Sequence, residues 1–252
     1  MDRCPTPFSL HGKRILVTGA SSGIGQQIAI TCAGMEAQLL ITGRHPQRLA
    51  DTLAMLAGEG HQSLAVDLTQ AEDLATLATQ AEPLHGVAHA AGISRLVPLR
   101  MLKPVHLHEM FVHNTYAPIL LVQQLAAARK LLPQASIVLI SALASHAGPI
   151  ASTAYAASKA ALLGASRSMA QDLAKHGVRI NCIAPGYVQT PMLEQLGQSG
   201  ANLQERMHQT PLGIGQPQDV AHATAFFLGD ASRAINQNYF LVDGGISIPM
   251  QL

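Results

Sequence analysis

The stretch Arg14-Ile-Leu-Val-Thr18-Gly-Ala-Ser-Ser-Gly23-Ile-Gly25-Gln26 decides the fold. Its first five residues form a short apolar run of strand length, and residues 26–33 read as a helix. Glycines at 19, 23 and 25 allow a tight turn, close backbone approach to a pyrophosphate and close helix–strand packing. The helix N-terminus adds free N–H groups and a partial positive charge suited to an anion. The spacing is Gly-x-x-x-Gly-x-Gly, neither Gly-x-Gly-x-x-Gly nor a Walker loop with its Gly-Lys-Ser/Thr. Taken alone, the loop also suits a purely structural turn.

Outward from this loop, further short apolar runs occur at 38–42, 63–66, 86–89, 136–141, 179–184 and 239–242. Amphipathic or small-residue segments of about 10–25 residues separate them. This β-α-β-α order predicts an α/β fold with a parallel sheet. Right-handed crossovers narrow it to a single-domain, Rossmann-like, doubly wound parallel β-sheet flanked by helices on both faces. The longest irregular region runs from Pro185 to about Gly215 and contains Pro191 and Pro211. Met192, Leu193 and Leu196 would cover something apolar there, so the segment reads as a closing loop rather than a surface excursion.

The chain has 252 residues, 48% of them hydrophobic and 12% charged, which supports a substantial core. A net charge of +1 with no basic cluster argues against a nucleic-acid partner. Cys4, Cys32 and Cys182 are scattered, with no C-x-x-C, so reduced cysteines and a cytoplasmic setting are expected. The first residues lack a secretory h-region, and no run of 18 apolar residues predicts a membrane span. Of twelve histidines, His106, His108 and His113 are the closest set. Separations of two and five do not share one helix face, and no metal site is expected.

Other residues bear on chemistry. The second run ends at Gly43-Arg44, where a dinucleotide fold that takes NAD carries an acid for the ribose 2′-OH. A guanidinium instead suits a 2′-phosphate, which favours NADP, although Arg44 also reads as a solvated residue beside His45 and Arg48. Asp67 is placed either to bind an adenine amino group or to cap the helix beginning near Gln70. Tyr155 and Lys159 lie four apart on a helix and share one face. The ammonium would favour the ionised phenol, giving a tyrosine able to exchange a proton near neutral pH.

In order and separation, the chain resembles the short-chain dehydrogenase/reductase (SDR) family. The matching residues are Thr18-Gly19-x-x-x-Gly23-Ile24-Gly25, Asp67-Leu68, Ala90-Ala91-Gly92, Asn114, Tyr155-x-x-x-Lys159, Pro185-Gly186 with Thr190, and Val242-Asp243-Gly244-Gly245. The resemblance implies one domain over 1–252, with a core of about 11–247 and a substrate loop at 186–215. It implies that Tyr155 exchanges a proton with the substrate oxygen. Lys159 would bind the nicotinamide ribose and lower the tyrosine pKa, and Asn114 would hold a water. Gly19, Ser21, Ser22, Gly23, Ile24 and Gly25 would hold the cofactor phosphates, and Arg44, Asp67, Leu68, Ala91 and Gly92 its adenosine side and beyond. Pro185, Gly186, Val188 and Thr190 would face the nicotinamide. A homotetramer or dimer pairing helices 105–130 and 155–168 is also implied.

Two departures stand out. The usual Asn-Asn-Ala-Gly reads His89-Ala90-Ala91-Gly92, and His89 is taken as a core residue. The family serine lies thirteen residues before the tyrosine, where this chain has Ala142, with Ser141 one earlier. A one-residue shift points a strand side chain to the opposite face, so Ser141 would serve only through a local irregularity. The alternatives are work without a serine or an engineered Ser-to-Ala change. The expected function is NADP-dependent hydride transfer between nicotinamide and an alcohol/ketone pair: a 3-oxoacyl thioester, a sugar or a small ketone. The alternative is a cofactor-binding protein with weakened or lost catalysis. The substrate pocket is expected to include Ser94, Leu96, Pro149, Ile150 and Tyr187.

Overall fold

A computed structural model describes residues 6–197 and 208–247. Seven parallel strands form one sheet, in the order β3-β2-β1-β4-β5-β6-β7. They are β1 (Arg14–Thr18), β2 (Gln38–Gly43), β3 (Gln62–Ala65), β4 (Leu84–His89), β5 (Leu131–Ile140), β6 (Arg179–Pro185) and β7 (Tyr239–Val242). This is the expected doubly wound sheet. The strand order reverses direction between β1 and β4, and such a switch point opens a crevice at the carboxyl ends of the strands.

Both faces of the sheet are covered, which is why the strands read as continuous apolar runs rather than alternating ones. Ile15, Val17, Val138 and Ile140 pack on one side with helices α1 (Gly23–Gly34) and α9 (Pro217–Leu228). Leu16, Ile137, Leu139 and Ile180 pack on the other with α3 (Ala71–Gln80), α5 (Ala117–Ala127) and α7 (Thr153–Leu173). The buried residues of α1 are Gly25, Ile28, Ala29, Cys32 and Ala33, the spacing of a single helix face. The remaining helices are α2 (Pro46–Ala54), α4 (Pro104–Phe111), α6 (Ala144–Ala147) and α8 (Pro191–Gly197).

Strand β5 differs from its expected span. It begins earlier, at Leu131, through a register shift against β4. It also ends at Ile140, although the Ser141 and Leu143 amides still donate to the Ile183 and Pro185 carbonyls of β6, at 2.7 and 2.8 Å. None of the helices among the described residues is long and apolar enough to cross a membrane.

The passage from β6 to β7 is organised by a buried cation. Arg179 is 8% exposed. Its guanidinium donates to the carbonyls of Ser232 (2.9 Å), Ile235 (3.2 Å), Phe227 (3.2 Å) and Gly229 (3.3 Å), and to the Ser232 hydroxyl (3.0 Å). These carbonyls include the end of α9, where helix geometry leaves acceptors unpaired. Replacing Arg179 by Met keeps the apolar bulk but orphans them. The expected result is a loss of about 3 kcal/mol or more in stability, read from the urea midpoint at unchanged m-value.

Candidate active site and cofactor cleft

The glycine loop joins β1 to α1 in the expected strand–turn–helix order. Gly19 takes φ +67° and lies so close to β4's exit that a Cβ there would sit 2.7 Å from the Ala91 amide. A Cβ at Gly25 would overlap the Gly19 carbonyl, so helix and turn meet backbone to backbone. Ser22 is the N-cap of α1 and makes no side-chain capping bond, which leaves the first N–H groups of this 12-residue helix for an outside acceptor. The Ser21 hydroxyl is buried without a partner among the described residues.

These elements wall a cleft of about 390 Å³ at the switch point. Gly19, Ser21, Ser22, Gly23, Ile24, Gly25, Arg44, Asp67, Leu68, Ala91, Gly92 and Thr190 all line it, as the sequence suggested. His45, Arg48, Thr69, His113 and Gln195 also line it. Uncapped N–H groups, an orphan hydroxyl, glycines that admit close approach and two arginines fit an elongated ligand bearing phosphates. Tyr155 and Lys159 are not in the wall, and neither are Pro185, Gly186 and Val188. The last three hold the exit of β6: the Gly186 amide donates to the Val242 carbonyl at 2.9 Å, and Val188 pairs with Gly215. The expected substrate loop, 186–215, includes residues 198–207, which lie outside the described residues.

Asp67 does not cap α3, whose N-cap is Gln70. Its carboxylate accepts from the Thr69 amide and hydroxyl, at 3.0 and 2.8 Å, closing a local turn instead. Burial raises its pKa, but these donors, with Arg44 and His113 nearby, outweigh that and hold it below the usual carboxylate value. The sequence points to no role for His113 beyond the rejected metal set, yet it lines the cleft. Its position just before Asn114 was the available signal that it faces the cleft. Among the described residues no group of three His, Cys, Asp or Glu side chains is arranged to hold a metal.

Asn114 lies in a π-helical turn, Val112–Tyr116, between α4 and α5. Its carboxamide is buried and accepts from the Ile93 amide at 2.9 Å while donating to the Ile93 carbonyl at 3.0 Å. It also donates to the Ser158 hydroxyl on α7, at 3.0 Å. Both its oxygen and its nitrogen thus have protein partners.

Lys159 is 4% exposed and its ammonium donates to the Ile140 carbonyl at 2.8 Å. A Cβ at Gly92 would lie 3.2 Å from that nitrogen, which sets the ammonium at the inner end of the cleft. Burial pushes its pKa down to about 8. Tyr155, one turn earlier, is half-buried, and its hydroxyl has no hydrogen-bond partner among the described residues. Its pKa is pushed up to about 12 by burial. The expectation that Lys159 lowers it is therefore corrected: the ammonium turns to the end of β5, and desolvation of the phenol wins.

Ser141 is also corrected. It continues the face of Ile137 and Leu139, and its hydroxyl donates to the Lys159 carbonyl at 3.1 Å, underneath α7. Strand alternation, without a bulge at this point, turns it away from the cleft. Ala142 offers no hydroxyl, and its carbonyl accepts from Ser145 and Tyr239 at 2.7 and 3.2 Å.

His89 is buried among β1 and β4. Its Nδ1 pairs with the Thr18 hydroxyl at 3.1 Å, and its Nε2 has no partner among the described residues. Burial, with Lys159 nearby, lowers its pKa to about 3. The unfolded chain takes up this proton below about 6.5 and the fold does not, so stability falls as pH drops from about 6.5 towards 3. Urea midpoints of the wild type and His89→Asn across this window should diverge, with the variant less acid-sensitive. Parallel curves would refute the assignment.

A family model described as enoyl-(acyl carrier protein) reductase matches residues 19–247. The gluconate 5-dehydrogenase of Gluconobacter oxydans (strain 621H) is 32% identical over 255 residues, covering 98% of this chain and 99% of the relative. A solved structure described as a short chain dehydrogenase/reductase family protein superposes with a TM-score of 0.83 at 32% identity, covering 94% of this chain and 97% of that one. A candidate NAD(P) dependent gluconate 5-dehydrogenase from Beutenbergia cavernae, with NADP bound at low occupancy, gives a TM-score of 0.86 at 30% identity, covering 96% and 99%.

Proposed function

The chain belongs to the short-chain dehydrogenase/reductase family and is an NAD(P)-dependent oxidoreductase; from that premise we propose that it reduces a ketone with NADP as its cofactor and Tyr155 as proton donor. The carrying observation is the unpartnered Tyr155 hydroxyl one helical turn before Lys159, whose ammonium lies against Gly92 at the inner end of the cleft. Bound reduced nicotinamide supplies a hydride. The α1 N-terminus and Ser21 hold the phosphates, and Arg44 pairs with a 2′-phosphate. Asp67 and His113 face the adenine side. Thr190 positions α8 by accepting from the Leu193 amide at 3.3 Å.

A phenol with a pKa near 12 stays protonated at neutral pH. It is therefore suited to give a proton to a carbonyl oxygen rather than to take one from an alcohol. Alcohol oxidation, which needs the phenolate as base, should speed up through the alkaline range. A keto sugar acid is the first substrate class to test, supported by the gluconate 5-dehydrogenase relative. A 3-oxoacyl thioester comes second, supported by the 3-oxoacyl-[acyl-carrier-protein] reductase of Rickettsia conorii (strain ATCC VR-613 / Malish 7), which is 28% identical over 242 residues.

A second reading is a cofactor-binding protein of weakened catalysis. It is favoured by Ala142 and by the burial of Ser141 beneath Lys159. A homo-oligomer in the cytoplasm fits both readings, with Val105 on α4, Tyr116 in the π turn and Leu120 on α5 all exposed.

Stopped-flow absorbance of NADPH with candidate ketones tests the reaction. Tyr155→Phe should lower kcat by about 10²–10⁴-fold while leaving NADPH affinity intact. Full turnover by that variant would exclude the role. Arg44→Ala should weaken NADPH binding by about tenfold or more and leave NADH little changed, as fluorescence titration would show. Equal weakening of both would remove the 2′-phosphate assignment.

A further inference from the structure

We propose that Ser94 supplies the hydroxyl that polarises the substrate carbonyl, in place of the donor that Ala142 cannot provide; this rests on the reading of Tyr155 as proton donor. The hydroxyls around the end of β5 are committed elsewhere. Ser141 donates to the Lys159 carbonyl beneath α7. Ser145 donates to the Ala142 carbonyl and shares a 2.9 Å contact with the Tyr239 hydroxyl. Ser152 donates to the Pro149 carbonyl. Ser94 lines the cleft together with Gly92 and Met192, is half-buried, and its hydroxyl has no partner among the described residues.

Its backbone is held on both sides. Before it, both polar groups of Ile93 are clamped by Asn114, which also bonds the Ser158 hydroxyl; that hydroxyl in turn donates to the Tyr155 carbonyl at 2.7 Å. After it, the Val97 amide donates to the Ala151 carbonyl at 2.7 Å, four residues before Tyr155. Both anchors of residues 93–97 thus lead to the first turns of α7. A free hydroxyl on a segment fixed in this way is held in place before the reaction begins, as a preorganised donor must be. Ser94 donates a hydrogen bond to the carbonyl oxygen and keeps its proton. The carbon accepts the hydride with its electron pair, the π pair moves to oxygen, and Tyr155 gives the proton that neutralises it.

The test uses NADPH with 5-keto-D-gluconate, and in parallel with acetoacetyl-CoA, on the full chain. Ser94→Ala should lower kcat by about 10²-fold, with little change in KM or in NADPH affinity. Ser94→Thr, which keeps the hydroxyl, should retain turnover. Ala142→Ser introduced into Ser94→Ala should recover most of the loss, which a merely structural role for Ser94 would not produce. Near wild-type turnover by Ser94→Ala, alongside an inactive Tyr155→Phe, overturns this inference and leaves the proposed reaction standing. An active Tyr155→Phe overturns both.

Discussion

The carboxamide of Asn114 is the interaction on which the rest of the site depends. It is 1% exposed, and it satisfies both backbone groups of Ile93 while reaching Ser158. Three elements from distant parts of the chain are thereby set in one register: the exit of β4, the α4–α5 junction and α7. The π turn at that junction presents Asn114 inward, and such single turns are found mostly where function requires them. Without this clamp, the floor of the cleft and the helix carrying Tyr155 and Lys159 would be positioned independently of each other. A buried carboxamide that lost Ile93 would also leave orphaned polar groups on both sides, so the arrangement is close to all-or-none.

Burial governs the chemistry of that helix more than charge does. Free tyrosine and lysine side chains have similar proton affinities. In the fold, desolvation drives them apart, the phenol to about 12 and the ammonium to about 8. At neutral pH both groups therefore keep their protons, the phenol more firmly than the ammonium. The cleft carries further cations at its other end, Arg44 and Arg48, both exposed. The two ends of the cleft therefore differ in kind. One presents exposed guanidinium groups to solvent, and the other a buried ammonium.

Much of this was legible in the residues. The sheet followed from runs such as 14–18 and 239–242, because a strand buried on both faces must be apolar throughout. The glycine loop was legible because only glycine tolerates the contacts at 19 and 25. The strand parity of Ser141 was also readable, and alternation correctly warned that it would face away from the cleft. Other features depend on partners far away in sequence. The direction of the Lys159 ammonium is set by Ile140, 19 residues earlier. The bonds of Arg179 reach residues 48 to 56 positions later. Asp67 offered two readings of equal standing, and the local turn with Thr69 was neither, because side-chain to backbone bonds over two residues compete with helix capping.

The contact between the phosphate loop and the end of β2 carries a consequence for how the chain can change. A Cβ added at Gly43 would run into the Ser21 hydroxyl. An acidic residue placed there to grip a ribose would oblige the Ser21 hydroxyl to rotate away from its place in the phosphate turn. Positions 21 and 43 are therefore an epistatic pair, and substitutions at the two will not add. A lineage moving from one nicotinamide cofactor to the other would therefore feel the phosphate turn and the strand end together, although the two lie more than twenty residues apart in the chain.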